Sequence, residues 1–241
     1  MIRRSYFLHS ILLILLSLST LFAQEVGVKL GLSISDIAFS DEGQTPYLGY
    51  EINSLEHRKP LLTYQVGVYA SFRISDQFDF QPELLYVTQG LDYSTKYLYD
   101  DVKYKIKTSY LQLPLLFKYK TAVKKDKFSG ILLGPYAALK LDARRITKIE
   151  GQSNKTEMGN VKNSDFGVIG GYAFDFNMIS RKMLIDLRAS YSLVNMMEKI
   201  EGNIPLYTGS NKDYARNISI ALTVQYNLID SGTKTAKPDE E

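Results

Sequence analysis

The sequence predicts an all-β fold: an eight-stranded antiparallel up-and-down transmembrane β-barrel. Three observations predict it. Apolar residues alternate with small or polar ones at period two along most of the chain, the mark of strands with two unlike faces. The alternating stretches exceed the usual strand of ~5–6 residues and match the ~9–11 that a tilted strand needs to cross a bilayer. The connections run long, short, long, short, long, short, long, the pattern of barrels with tight turns at one end and extended loops at the other.

Each element follows from its residues. Residues 1–23 read as a secretory signal peptide, with Arg3 and Arg4 before an apolar run over 11–22 and Ala23 at the cleavage point. The first strand, 25–34, sets Val26, Val28, Leu30, Leu32 and Ile34 against Gly27, Lys29, Gly31 and Ser33. A long loop over 35–62 follows. The second strand, 63–74, opposes Tyr64, Val66, Val68 and Phe72 to Gln65, Gly67, Ser71 and Arg73, and Ser75, Asp76 and Gln77 supply a tight turn. The third, 78–91, alternates straight through Pro82. Proline has no amide hydrogen to give the ladder, so a bulge or distortion is expected there.

Residues 92–107, rich in Tyr and Lys, form a second loop or an extension of the flanking strands. The fourth strand, 108–120, places Leu111, Leu113, Leu115, Phe117 and Tyr119 on one face; the fifth, 128–143, does so with Ile131, Leu133, Leu139 and Leu141. A polar loop covers 144–163. The sixth strand, 164–176, and the seventh, 183–193, are joined by a short turn, and 195–213 is the last long loop. The eighth strand, 216–228, has the clearest alternation: Ile218, Ile220, Leu222, Val224 and Tyr226 against Ser219, Ala221, Thr223 and Gln225. The barrel domain is thus 24–228, followed by a polar, disordered periplasmic tail over 229–241.

Side-chain size decides which face is outside. The bulky face carries Leu, Ile, Phe and Tyr, whereas the other is rich in Gly, Ser and Ala. An eight-stranded interior has room for little more than side chains, so the small set belongs inside and the bulky set in lipid. The alternative is a soluble lipocalin-like barrel with its greasy face around a ligand. Tyr64, Tyr119, Tyr172 and Tyr226, toward strand ends, suit an interfacial girdle.

The inward face carries charges of both signs: Lys29, Arg73, Asp79, Glu83, Lys118, Lys140, Asp175, Asp186 and Arg188. Unpaired buried charges are costly, so a structural cluster of Lys29, Arg73, Glu83, Lys118, Asp186 and Arg188 is expected to pair across the lumen. A small passive channel is the alternative reading. No catalytic, cofactor or metal constellation emerges. There is no cysteine, and the one histidine beyond the leader, His57, has no partner at catalytic or metal-ligand spacing. A barrel enzyme is therefore the weakest option. The near balance of 29 Lys and Arg against 26 Asp and Glu gives no support to a nucleic-acid partner. Recognition is expected on the loops: Arg144, Arg145 and Lys148 toward lipopolysaccharide phosphates, and Tyr97 and Tyr99, with Tyr93 and Tyr104, toward a partner in the envelope or a secretion system.

Several short motifs resemble those of the PorT-like outer-membrane β-barrel proteins: Gly27-Val28-Lys29-Leu30-Gly31, Gln81-Pro82-Glu83-Leu84-Leu85-Tyr86, Tyr110-Leu111-Gln112-Leu113-Pro114-Leu115-Leu116, Gly134-Pro135-Tyr136 and Asp165-Phe166-Gly167. The resemblance spans nearly all of the chain after the leader. It implies an outer-membrane barrel of a family that is a scaffold with no catalytic motif, its founding member associated with type IX secretion. The even strand number puts both termini in the periplasm, and the expected location is the outer membrane of a Gram-negative bacterium, with no enzymatic activity.

Overall fold

The computed structural model describes residues 23–39, 57–97, 100–124, 127–149, 152–178, 181–198 and 214–230. Residues 1–22 of the expected leader, the polar tail after Asp230 and most of the first and last long loops lie outside them. Within the described residues nine strands form one antiparallel sheet: β1 Glu25–Phe39, β2 His57–Arg73, β3 Phe78–Tyr97, β4 Asp100–Lys124, β5 Lys127–Ile149, β6 Gln152–Glu157, β7 Ser164–Met178, β8 Arg181–Ser192 and β9 Ala215–Asp230. Eight close a ring, β1-β2-β3-β4-β5-β7-β8-β9 and back to β1. The closing seam pairs Lys29 with Gln225 and Leu32 with Leu222. Closure gives each of the eight ring strands a partner on both sides, so the backbone of the ring is paired internally, which lipid demands; β6 pairs with β5 alone. No helix among the described residues is long and apolar enough to cross a membrane; the strands do the crossing.

Burial follows the alternation in the sense argued from side-chain size. Leu30, Leu32, Ile34, Leu133, Leu139, Ile220 and Leu222 are each more than half exposed, while Lys29, Gln81, Glu83, Thr223 and Gln225 are almost wholly buried. The outer face is greasy, and the charged and polar side chains of the wall are buried inside, the reverse of a lipocalin. Aromatic pairs mark the short-turn end of the outer face: Phe78–Tyr119 at 5.0 Å, Phe80–Phe117 at 5.2 Å and Phe72–Phe80 at 6.4 Å between centroids. At the loop end Tyr64 and Tyr86 lie 6.0 Å apart.

The structure corrects the strand limits at the loop end. β1 continues to Phe39 and β2 begins at His57, so both take residues from the expected first loop. The described residues of 92–107, all but 98–99, are strand, and β3 and β4 reach 20 and 25 residues. The expected third loop is a hairpin: β5 runs on to Ile149 and β6 pairs back along it, from Arg144↔Glu157 to Ile149↔Gln152. β9 passes the expected end at 228 and stops at Asp230. The reason is legible in residues 102–107. Val102, Tyr104 and Ile106 are buried while Lys103, Lys105 and Lys107 point away, so a strand here has an apolar interior to lean on and need not end at the bilayer surface.

Pro82 does not produce a bulge. The β2–β3 register passes from Tyr69↔Glu83 to Phe72↔Phe80 without a shift, skipping the rungs opposite Pro82. Pro114 likewise leaves a gap between Pro82↔Leu115 and Leu85↔Gln112 in the β3–β4 ladder. Each proline deletes a rung on the side its missing amide hydrogen would serve, and the neighbouring rungs hold the register. True register shifts occur elsewhere, at Val26/Gly27, Pro60/Gln65, Ser109/Tyr110 and Lys120/Ala122. The shift at Ser109/Tyr110 matters most. Before it β5 turns Leu139 and Leu141 outward; after it Ala143 faces in and Arg144 faces out.

Two glycines are explained by tyrosines paired with them. Gly27 lies opposite Tyr69 and Gly167 opposite Tyr136. A Cβ on Gly27 would come within 2.8 Å of the Tyr69 ring, and one on Gly167 within 2.5 Å of the Tyr136 ring. The large inward ring lies flat over the paired glycine, which is how so narrow a lumen holds tyrosines at all.

Candidate functional site

The lumen is built around four charges from three strands. Glu83 of β3 accepts hydrogen bonds from Lys29 Nζ of β1 at 2.6 Å and from both terminal nitrogens of Arg188 of β8 at 2.8 and 3.2 Å. Asp186 of β8 accepts from Arg188 Nε at 2.6 Å and Nη2 at 3.0 Å, and lies 3.1 Å from Lys29 Nζ. Gln81 donates to Glu83 at 2.6 Å and Gln225 to Asp186 at 2.8 Å. All four charged side chains are buried, none more than 3% exposed. Two cations and two carboxylates alternate around a closed circuit, so the charges cancel where desolvation would otherwise be prohibitive. Each carboxylate also takes an amide donor, which fills its remaining acceptor capacity.

Four of the six residues expected to cluster thus meet: Lys29, Glu83, Asp186 and Arg188. The other two are not members of the circuit. Lys118 is buried on the inner face nearer the short-turn end, in register with Asp79, whose carboxylate receives Lys120 Nζ at 2.9 Å. Arg73 is exposed at the last residue of β2, so it is not part of the lumen cluster. It sits where the barrel wall gives way to the turn, and water can reach it there.

The rest of the interior is filled. Tyr110, Leu116, Leu132, Tyr136, Ala138, Ile169, Ala173 and Leu184 form an apolar cluster on the β4, β5, β7 and β8 walls. Above it Asp165 accepts from Ser192 Oγ at 2.5 Å, Asn217 Nδ2 at 3.0 Å and Tyr136 Oη at 3.3 Å, a buried carboxylate with neutral donors that sequence reasoning did not assemble. A second apolar cluster closes the loop end, gathering Ile37, Leu91, Ile106 and Ala215 with Met158, Val161, Met196 and Met197. Its lid is two segments bridged to each other. Lys162 N donates to Met196 O at 2.8 Å, Glu198 N to Asn160 O at 2.6 Å, and Val161 pairs with Met197.

Tyr93 and Tyr104 belong to this cluster rather than to a recognition loop. They are buried and stack at 5.1 Å with 13° between planes. They fall at inward positions of strands the sequence reading had allowed to be loop. The side chain of Tyr97, and Tyr99 altogether, lie outside the described residues, as does the side chain of His57. Among the described residues no group of three or more His, Asp or Glu is placed to hold a metal.

Arg144, Arg145 and Lys148 are all on the far part of β5 but do not share a face. Arg144 and Lys148 are exposed and look outward, in register with Lys107 and Lys103 of β4. Arg145 looks the other way, into a cleft of about 510 Å³ that it lines with Val102, Tyr104, Thr147, Thr156 and Met158. The strands β3 to β6 therefore rise beyond the bilayer band as a single raised sheet, apolar within and basic without.

The family model described as "Outer membrane protein beta-barrel domain" matches residues 22–198. Among curated proteins none matches the chain. Among solved structures the chain is similar to OprG from Pseudomonas aeruginosa at 14% identity, covering 86% of this chain and 97% of that one with a TM-score of 0.41. It is similar to Neisserial surface protein A at 12%, 83% and 96%, TM-score 0.40, and to Ail, the attachment invasion locus protein of Yersinia pestis, at 12%, 85% and 99%, TM-score 0.36.

Proposed function

We propose a function from one premise: this chain belongs to the outer membrane protein β-barrel domain family. The barrel is a closed, non-enzymatic scaffold in the outer membrane that acts through the raised sheet at its loop end, as a surface-recognition element. The observation that carries this reading is the packed interior. A neutral ion-pair circuit and two apolar clusters occupy the lumen of the described barrel, which leaves the outside of the molecule as its working surface and argues against a passive channel. The short-turn end and both termini face the periplasm in this reading, with residues 1–23 removed on export.

A second reading, assistance to type IX secretion, is favoured by the PorT-like motifs, two of whose residues, Lys29 and Glu83, meet in the lumen circuit. Crosslinking from the raised sheet in intact cells tests both. Surface recognition expects adducts with envelope components in wild-type cells and no defect in protein secretion on deletion. The secretion reading expects a secretion defect and adducts with the secretion machinery. Steady unitary conductance of the folded barrel in planar bilayers would contradict both.

A further inference from the structure

We propose that the outer face of the raised sheet binds the phosphate groups of lipopolysaccharide in the surrounding outer leaflet. The proposal rests on the outer-membrane reading above and gives its recognition surface a ligand. Register decides which side chains share this face. Lys103 pairs with Lys148, Lys105 with Ile146 and Lys107 with Arg144 across β4 and β5, and Lys155 of β6 pairs with Ile146. The alternating partners Val102, Tyr104 and Ile106 are buried, so the cations are fixed on the outside by the apolar core behind them. Among the described side chains on β3 to β6, this face holds six cations, Lys103, Lys105, Lys107, Arg144, Lys148 and Lys155, against three carboxylates, Asp92, Asp142 and Glu157. Lys105 is paired with Asp92 at 3.4 Å and Arg144 with Asp142 at 2.9 Å, all four side chains more than a third exposed, so the face keeps a net excess of cations.

The face has a definite height. On β4 the outward residues Leu111, Leu113, Leu115, Phe117 and Tyr119 are all exposed apolar or aromatic positions, and their span of eight residues is ~26 Å along the strand and ~20 Å in height at a tilt of ~40°. Ser109 follows, and Lys107 is the next outward residue. On β5 Leu139 and Leu141 are the last exposed apolar pair before Arg144. The cations then rise in three rows, at Lys107 and Arg144, at Lys105 and Lys155, and at Lys103 and Lys148. Successive rows are ~6.6 Å apart along the strand, so the array spans ~10 Å in height, and its lowest row lies ~10 Å above Leu111. An apolar band ~25 Å tall that starts at Tyr119 ends ~5 Å above Leu111, and the polar layer of a leaflet is ~5–8 Å thick, so the lowest row, Lys107 and Arg144, lies level with headgroup phosphates and the upper rows stand above them. The barrel wall holds the array against the leaflet. Lys107 also lies over the Tyr64 ring, 5.6 Å from its centroid, which ties the lowest row to the interfacial aromatics. The bulge at Ser109/Tyr110 makes the arrangement possible: without it Arg144 and Lys148 would face inward with Ala143 exposed.

The test uses the full folded protein in detergent micelles, titrated with lipid A carrying its phosphates, with dephosphorylated lipid A, with inorganic phosphate and with polyglutamate. The account expects lipid A to bind at least about ten-fold more tightly than its dephosphorylated form, through several cations near an anionic surface. The variant Lys107→Gln/Arg144→Gln/Lys148→Gln should lose that preference, and Arg145→Gln, on the cleft side, should keep it. Equal binding of the two lipids, full preference in the triple variant, or matching affinity for inorganic phosphate or polyglutamate would overturn the proposal. Heat-modifiable migration of every variant reports barrel formation separately, so an unfolded variant is distinguished from a folded one that does not bind.

Discussion

Replacing Glu83 by Gln should be among the most damaging isosteric changes available in this barrel. Glu83 receives Lys29 at 2.6 Å, Arg188 at 2.8 and 3.2 Å and Gln81 at 2.6 Å, in a region where its side chain is 0% exposed. The substitution keeps the shape and removes one negative charge. Lys29 and Arg188 are then left with Asp186 alone, and the neutral circuit becomes a buried net cation. Breaking a buried pair in this way costs about 3–5 kcal/mol, mostly the desolvation of the charge left behind. A second change identifies the cause. Lys29→Met combined with Glu83→Gln removes the orphaned cation and leaves Arg188 with Asp186, so the double variant should be about 2–3 kcal/mol less destabilised than the sum of the two singles. Urea titration in micelles, read by heat-modifiable migration, measures all three. A cost below 1 kcal/mol for Glu83→Gln, or additive singles, would refute the circuit as the feature that holds the lumen.

Three further outcomes follow from the same geometry. Leu222→Arg, on the lipid face at 55% exposure, should cost about 2–4 kcal/mol if it lies near the midplane, measured by the same titration in phospholipid vesicles; no change would place that face in water. Thr223 is fully buried beside the circuit, so Thr223→Arg must overpack the lumen and should be no milder than Leu222→Arg, in contrast to what an open polar lumen would allow. Gly167→Ala meets Tyr191 O at 2.2 Å and the Tyr136 ring at 2.5 Å and should cost about 1–3 kcal/mol, whereas Gly170→Ala, whose nearest neighbour is Leu133 Cδ1 at 3.6 Å, should be tolerated; equal effects would contradict the packing of tyrosine over glycine.

The two faces of each strand were legible because period two writes them directly: Ile220, Leu222 and Val224 against Ala221 and Thr223 settle a strand without any neighbour. Charges on the inner face were legible one at a time. Which of them meet was not, because the stagger of the strands decides that Lys29, Glu83 and Arg188 share a level while Lys118 sits below it. The loop-end cluster was hidden for the same reason, since Ile37, Leu91, Met158 and Met196 come together only once the ring closes. The raised sheet did leave a signal. Lys103-Tyr104-Lys105-Ile106-Lys107 alternates as cleanly as the final strand, but its polar partners are cations rather than small residues. Strand alternation split Arg144 from Arg145, two neighbours that a loop would have left equivalent, and the phase change at Leu141 and Asp142 decided which of the two faces out.

The central claim is a barrel with lipid outside and a packed lumen inside, and site-directed labelling along β9 tests it most directly. The chain has no cysteine, so each introduced thiol is unique. Single cysteines at 219 to 224, spin-labelled in vesicles, should alternate. Positions 220, 222 and 224 should be accessible to oxygen dissolved in lipid, and 219, 221 and 223 should be shielded from both oxygen and a water-soluble relaxant. Water access at 221 and 223 would mean an open lumen, and oxygen access at those positions in place of 220 and 222 would reverse the faces; either result would contradict the account.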